Sequence, residues 1–373
     1  MANERRSRFA NPIVVLADSD VASRLGLWIE SLLVSLVDEG LNPILLTPRS
    51  ERDLRLAENI PDQAIAKLRM PAGRWPVLQH FASGPLVDHL AGESVRLVLS
   101  TGGRWVQYGV WLAQQLGVPA ASLVTGLDEI GPTLKAASHL SAVLAGSNAL
   151  AERLVARMGG TPPEGKVSAV GLGVHLGAGT AAFASPDRSV GIMAAGPLDI
   201  GSQFEQFILA ASLLAEAHPD VVFSIVGAGP AEHGLRRMSE GLNLTDRLTF
   251  VPSVRRMDDL FDGVDIYVQP YVANRLDLRL LEAMAAGAVV LARNGGAVDF
   301  VRDGLNGLEL TSVDEHGLAM LLAKLLDDPA DGRRIGAQAR QFVQENFLSG
   351  VSAQRVIERL RPIIVSRQTL KIS

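Results

Sequence analysis

Cysteine is absent from the 373 residues, so disulfides and thiolate metal sites are excluded, and a reducing compartment suits the chain. No charge of one sign dominates. The 35 Lys and Arg are interleaved with 40 Asp and Glu, for a net charge of −5. There is thus no basic stripe of the kind that binds nucleic acid or an anionic membrane. Long apolar runs are missing too. The longest nearly apolar one, Leu280 to Ala292, contains Glu282 and falls short of the ~20 residues a membrane helix needs. The basic start "MANERRSRFANPIVVLADSD" has an apolar run, Ile13 to Ala17, too short for a signal-peptide core. These absences point to a cytoplasmic chain whose membrane contact, if any, is peripheral at the inner face. Neutral small molecules or a protein suit it as partners.

What is present is apolar content, 47% of the residues, enough for roughly two well-filled domains. Short β-branched or Leu-rich runs alternate with longer helical patterns, which predicts parallel sheets covered on both faces. In the first half the strands read "PIVVLAD", "NPILLTP", "VRLVLST", "PAASLV" and "AVLAG". The helix "RLGLWIESLLVSLVDEG" places Leu25, Trp28, Ile29, Leu32, Leu33 and Leu36 on one face, so Trp28 is read as core. A second series runs through "SVGIMAAG", "VVFSIVGAG", "RLTFVP", "DIYVQP" and "AVVLARNGG", again with helices between. Residues 171–191, rich in Gly, Ala and Ser, read as the join between the two series.

The expected organisation is a first Rossmann-like domain over 1–175, a linker over 176–190 and a second Rossmann-like domain over 191–350. A C-terminal helix over 351–373 would cross back to the first domain. Two doubly wound domains of this kind would face a central cleft formed by their carboxyl-end loops, where open α/β sheets bind ligands.

Several residues stand out at those loops. In "IVGAGP", Gly227 and Gly229 follow a strand and precede a helix, where a missing Cβ suits either a tight turn or the close approach of a base or ribose. Glu282, at a helix start, is an acceptor for hydroxyl groups, and the helix dipole stabilises it there by ~0.3–1 kcal/mol with or without a ligand. Gly295 and Gly296 mark the next strand-to-loop turn. No two His residues have ligand spacing and no Asp-x-Asp element occurs, so neither a metal nor another cofactor is indicated. His139 and His175 read as structural or solvated.

The segments "HPDVVFSIVGAGPAEHGLRRMSEGLNLTDRLTFVPSVRRMDDLFDGVDIYVQPY" and "LLEAMAAGAVVLARNGGAVDFVRDGLNGLEL" resemble the donor-binding domain of retaining GT-B glycosyltransferases of the family 4-like, "glycosyl transferases group 1" kind. "LVDEGLNPILLTPRS", "LGVPAASLVTGLDEI" and "LSAVLAGSNALAERLVARMGG" resemble the acceptor-side domain more faintly. The resemblance implies a GT-B architecture and transfer, with retention, from a nucleotide-sugar to a glycan, lipid or protein acceptor. It assigns Glu282 to the ribose hydroxyls and Gly227, Gly229, Asn274, Gly295 and Gly296 to the donor. Thr125, Gly126 and Asp128 fall on the acceptor side.

The same resemblance shows losses. Where the family carries G-R-x-x-x-x-K-G to hold the departing diphosphate, "AAGPLDIGSQFEQF" has Pro197 for the Arg and Ser202 for the Lys, with Asp199 adding a negative charge. Unit charges ~4 Å apart interact by ~4 kcal/mol at an effective dielectric of ~20, so two lost cations matter. Arg255, Arg256 and Arg279 are the candidates to replace them. Asn274 stands for the first Glu of the Glu, seven residues, Glu pattern, Asp277 for a Gly whose amide faces the donor, and Thr125 for an acceptor-side His. Ala22 and Ser23 take the place of a Gly-Gly loop. No catalytic base is identifiable. Two readings follow: an active glycosyltransferase with a divergent site, or a non-catalytic subunit that binds a glycan or pairs with an active glycosyltransferase. An epimerase or phosphorylase on the same fold is a third reading, and the shortage of Lys in the second half argues against the phosphorylase.

Overall fold

The structure is a computed structural model. It describes residues 11–48, 56–57, 60–61, 64–70, 83–160, 165–177, 179, 182–185, 188–252, 257–311 and 314–369. The chain divides into two compact units. The first comprises Met1–Gly173, Asn274–Leu276 and Ser349–Ser373, and the second Val174–Ala273 and Asp277–Leu348.

The first unit is built on a seven-stranded parallel sheet. Its strands are β1 (Pro12–Leu16), β2 (Asn42–Pro48), β3 (Ala66–Met70), β4 (Leu97–Thr101), β5 (Ala120–Val124), β6 (Ala142–Ala145) and β7 (Val167–Ala169), in the order β3-β2-β1-β4-β5-β6-β7. The helices are α1 (Ser19–Asp38), α2 (Gly84–Gly92), α3 (Val106–Leu116), α4 (Ile130–Ala136) and α5 (Asn148–Arg157). The chain winds outward from β1 to β3 and then returns to β4, so strand order reverses between β1 and β4. All five residues of β1, β4 and β5 are buried, as expected of strands covered on both faces.

The second unit repeats the plan with six strands: β8 (Val190–Ala195), β9 (Val221–Val226), β10 (Leu248–Val251), β11 (Ile266–Val272), β12 (Val289–Arg293) and β13 (Leu308–Glu309), in the order β10-β9-β8-β11-β12-β13. Its helices are α6 (Phe204–Ala215), α7 (Glu232–Gly241), α8 (Asp258–Phe261), α9 (Arg279–Ala286), α10 (Glu315–Asp327) and α11 (Pro329–Asn346). Here strand order reverses between β8 and β11. Phe204, Phe207, Ile208, Ile225, Val268 and Leu322 are all fully buried in one cluster. Each such side chain contributes roughly 1.5–3 kcal/mol. At the amino edge of β11 the buried carboxylate of Asp265 accepts from Phe183 N at 2.6 Å, Gly191 N at 2.9 Å and the Arg188 guanidinium at 2.6 Å. It thereby ties the residues that lead into β8 to the sheet.

Strands β3, β7 and β13 are not evident in the sequence, and all three involve sheet edges or their short flanking pairs. β3 and β7 close the first sheet and β13 closes the second. An edge strand needs only one covered side, so "AKLRM" carries charges and β7 and β13 are three and two residues long. Helix α1 also begins earlier than its apolar stripe. Asp18 caps it by accepting from Val21 N at 3.0 Å, which places Ala22 and Ser23 inside the helix and not in the loop expected there. Among the described residues no helix is long and apolar enough to cross a membrane.

The final helix, α12 (Ser349–Thr369), belongs to the first unit and packs on α1. Leu25, Trp28, Ile29, Leu32, Leu33 and Leu36 are all buried, which agrees with the stripe read from the sequence. The Trp28 indole N–H donates to Ser352 Oγ at 2.6 Å, Gly173 N–H donates to the same oxygen at 3.2 Å, and that hydroxyl donates to Ser349 O. Ser352→Ala leaves two buried donors without an acceptor, at ~1–3 kcal/mol each. Thermal melting should show a loss of several degrees for Ser352→Ala and a much smaller one for Ser352→Thr, which keeps the hydroxyl. Equal losses would mean that packing, not these hydrogen bonds, sets the effect.

Candidate functional site

Open α/β sheets bind ligands beyond the carboxyl ends of their strands, where strand order reverses. In the second unit that edge is made by the loop after β8, the turn after β9, the start of α9 and the turn after β12. The first two are joined backbone to backbone. Gly196 N donates to Val226 O at 3.0 Å, Leu198 N to Ala228 O at 3.1 Å and Ala231 N to Leu198 O at 2.9 Å. A Cβ on Gly227 would lie 2.1 Å from Gly196 O, and one on Gly229 2.4 Å from Leu198 O. Both positions therefore require glycine because another loop of the same unit occupies the space. The close approach expected of a ligand is made here by the protein's own backbone. Behind this loop, Tyr267 and Tyr271 both donate their hydroxyls to Ala195 O, at 3.3 and 3.2 Å. Burial raises the pKa of both phenols.

Glu282 lies in the first turn of α9, half-buried, with its amide bonded to Leu278 O at 2.8 Å. The Asp277 carboxylate accepts from Arg279 N at 3.1 Å and from Arg279 Nε at 2.9 Å, and it also pairs with Arg279 Nη2. Burial disfavours the charged Arg279, but the Asp277 charge and hydrogen bonds outweigh it and raise its pKa. The Asp277 carboxylate thus bonds to the amide of the first residue of α9 and pairs with Arg279, so this Arg, read from the sequence as a candidate replacement cation, is already held by an acid. Arg255 and Arg256 lie outside the described residues. Pro197 and Asp199 are exposed, and Ser202 Oγ donates to Asp199 O at 2.6 Å. Gly295 and Gly296 have φ of +105° and +65°, a left-handed path that favours glycine. A Cβ on Gly296 would also sit 2.2 Å from Ala273 O.

The first unit gathers a different set at the carboxyl ends of β1, β4 and β5. Thr125 is fully buried, and both its amide and its hydroxyl donate to the Glu129 carboxylate, at 2.6 and 3.0 Å. Its hydroxyl is therefore committed to the protein. Asn274, expected beside the nucleotide, belongs with Arg275 and Leu276 to this first unit. Leu127 N donates to Asn274 O at 2.8 Å, and Leu276 N donates to Thr125 O at 2.6 Å. Gly126 pairs with Arg275 in an antiparallel bridge. Arg275 forms ion pairs with Asp128 at 2.5 Å and Asp20 at 2.8 Å. The side chain of Asn274 is exposed.

Sequence reasoning missed Arg24 and Glu129, which complete this cluster. Arg24 donates to Asp20 at 2.6 Å and Leu276 O at 2.7 Å and lies 3.9 Å from Glu129. Burial raises the Glu129 pKa, opposed by the Thr125 amide and the Arg24 charge. Burial also pulls Asp20 upward, but Arg24 and Arg275 prevail and its pKa is lowered. The Asp-Glu pair after β5 was the available signal, yet nothing in the text separates its exposed from its buried member. His139 Nδ1 lies 3.4 Å from Gln114 Nε2 at the surface, and His175 is exposed.

The chain has recognisable relatives among known proteins. Residues 185–342 match the family described as "Glycosyl transferases group 1". A D-inositol 3-phosphate glycosyltransferase 2 of Catenulispora acidiphila is 31% identical over 332 residues, covering 76% of this chain and 76% of that protein. A GDP-mannose-dependent alpha-(1-6)-phosphatidylinositol monomannoside mannosyltransferase of Mycolicibacterium smegmatis is 28% identical over 173 residues, 42% of this chain and 44% of that one. For several curated relatives the matched part spans only 38% to 44% of their length. Among solved structures, Anabaena HepE in complex with UDP and glucose superposes with a TM-score of 0.75 at 17% identity, over 94% of this chain and 99% of that one. The two parallel α/β units are those of the GT-B fold.

The buried Glu129 generates a pH test. A carboxyl whose folded pKa lies above its unfolded value of ~4.3 contributes stability that is full below that value and is lost as pH rises through the folded pKa. Glu129→Gln stays neutral. The melting temperature of the variant minus that of the parent should therefore rise between pH ~4 and 7. A flat or falling difference would show that Glu129 is not held against its charge.

Proposed function

The chain belongs to the glycosyl transferases group 1 family, and we propose that it transfers a sugar from a nucleotide-sugar donor held at the carboxyl edge of its second unit. The observation that carries this reading is Glu282. It is a half-buried carboxylate in the first turn of α9, at the edge that also bears the Gly295–Gly296 turn and the joined loops after β8 and β9. A carboxylate accepts from the two hydroxyls of a ribose without needing a proton of its own. Gly295 and Gly296 keep the neighbouring turn free of side chains, and Gly227 and Gly229 fix the loops that frame the nucleoside. The relatives support a nucleoside diphosphate: HepE forms a complex with UDP and glucose, and the mannosyltransferase is GDP-mannose-dependent. The acceptor, a glycan, a lipid or a protein, is assigned to the first unit near Gly126 and Asp128. We place the reaction in the cytoplasm, at or near the inner membrane face.

A second reading, a degenerate site that binds without turning over, is favoured by specific residues. Pro197 and Ser202 supply no positive charge, Arg279 is neutralised by Asp277, and the Thr125 hydroxyl is given to Glu129. In that case the chain is a binding subunit that pairs with an active glycosyltransferase. The two readings part on release of free UDP or GDP from UDP-glucose or GDP-mannose, which only the first yields.

Nucleotide binding is tested by thermal melting against UDP, GDP, UDP-glucose and GDP-mannose. A ligand at a hundredfold its Kd stabilises by ~2.7 kcal/mol, or a rise of about 5–10 °C for a unit of this size. Glu282→Ala should abolish that rise while the ligand-free protein still melts cooperatively. A full rise in Glu282→Ala would remove Glu282 from the site, and no rise with any of the four would overturn the donor-binding reading.

A further inference from the structure

We propose that Arg293 holds the phosphate charge of the nucleoside diphosphate, in place of the cations that Pro197 and Ser202 do not provide. This inference rests on the reading that the carboxyl edge of the second unit binds a nucleotide-sugar.

Arg293 is the last residue of β12, where it pairs with Val272 just past an irregularity in the register of β11. Such irregularities redirect side chains at the ends of sheets. β11 and β8 flank the reversal of strand order, so Arg293 stands one strand from the place where an open parallel sheet takes its ligand. Its Nη1 donates to Gln203 Oε1 at 3.0 Å. Gln203 ends the loop that carries Pro197 and Ser202. The guanidinium is thus brought from β12 to the loop where the charge is missing.

Charge and place together single out Arg293: Arg247, Arg333 and Arg340 also bond to uncharged groups, but to backbone carbonyls of His218 and Val221, of Phe183, and of Ala285 and Gly177, whereas Arg293 reaches the loop after β8. Arg279 is neutralised by Asp277, Arg236 by Glu232, Arg334 by Asp331, and Arg188 by Asp265 at the opposite edge. Arg293 is half-buried, and its partner is a neutral amide. Among the described residues no carboxylate lies within ion-pair distance of it, although Asp199 and Glu205 stand in and just after the same loop. A guanidinium held by an uncharged partner keeps its full attraction for an anion and a fork that matches phosphate oxygens.

Two neighbouring features are in keeping with a binding position. Gln203 itself has φ +65°, a left-handed conformation that non-glycine residues rarely adopt and that persists where the surroundings enforce it. Asn294, next to Arg293, donates its amide to Val301 O at 3.2 Å, while its Oδ1 is buried without a hydrogen-bond partner. The strain and the unmet acceptor fall on residues that hold or adjoin Arg293.

The experiment is calorimetric titration of the full chain with UDP, GDP and the matching nucleosides, uridine and guanosine. Wild type should bind one diphosphate more tightly than its nucleoside. Arg293→Gln should weaken that diphosphate by about 10- to 100-fold, the loss expected for one charged hydrogen-bonded contact, and leave the nucleoside unchanged. Arg293→Lys, which keeps the charge without the fork, should lie between the two. Melting of the ligand-free variants checks that the fold is retained. If Arg293→Gln changes neither affinity, or lowers both equally, the assignment of the phosphate to Arg293 fails while nucleotide binding stands. If wild type binds none of the four compounds, the donor-binding reading fails and this assignment with it.

Discussion

Two backbones that meet without side chains between them hold the working edge of the second unit. The loop after β8 and the turn after β9 exchange hydrogen bonds through Gly196, Leu198, Ala228 and Ala231, and the space for a Cβ on Gly227 or Gly229 is already filled by carbonyl groups. That contact fixes the loop bearing Pro197 and Ser202, and the loop in turn ends at Gln203, which Arg293 reaches. Tyr271 supports the same loop from below through Ala195 O. The edge is therefore preorganised by local packing, so that a ligand need not pay for ordering it.

Charges on this edge are paired among the protein's own side chains. Asp277 occupies a position that would be repulsive to a diphosphate, but Arg279 neutralises it and its carboxylate bonds to the amide at the start of α9. The helix start then has its own anion, so on the proposed reading a phosphate is met from another direction. Arg293, held by an amide and not by an acid, offers that direction. In the first unit the acids Asp20 and Asp128 are bound by Arg24 and Arg275, and the buried Glu129 is satisfied by Thr125.

What could be read from the sequence was what repeats over short distances. The stripe of α1, the succession of central strands along the chain and the turn at Gly295 and Gly296 follow from side-chain periodicity and from the conformations open to glycine. The edge strands β3, β7 and β13 escaped because one-sided burial does not force a continuous apolar run. Long-range partners escaped for another reason. Nothing near Asn274 in the chain indicates that it belongs with Thr125 and Gly126, and nothing near Arg293 indicates that its partner is ninety residues earlier. The Gly227 and Gly229 positions show the limit from the other side, since the motif was visible but its physical cause, a neighbouring loop, was not.

The central claim is that the second unit binds a nucleoside diphosphate at this edge. Amide hydrogen exchange with and without saturating UDP or GDP tests it most directly. The account predicts slowed exchange at residues 198–203, 228–231, 279–282 and 293–297, with the amides at the amino ends of the same strands unchanged. No slowing in those segments with either nucleotide, or slowing confined to the first unit, would contradict it.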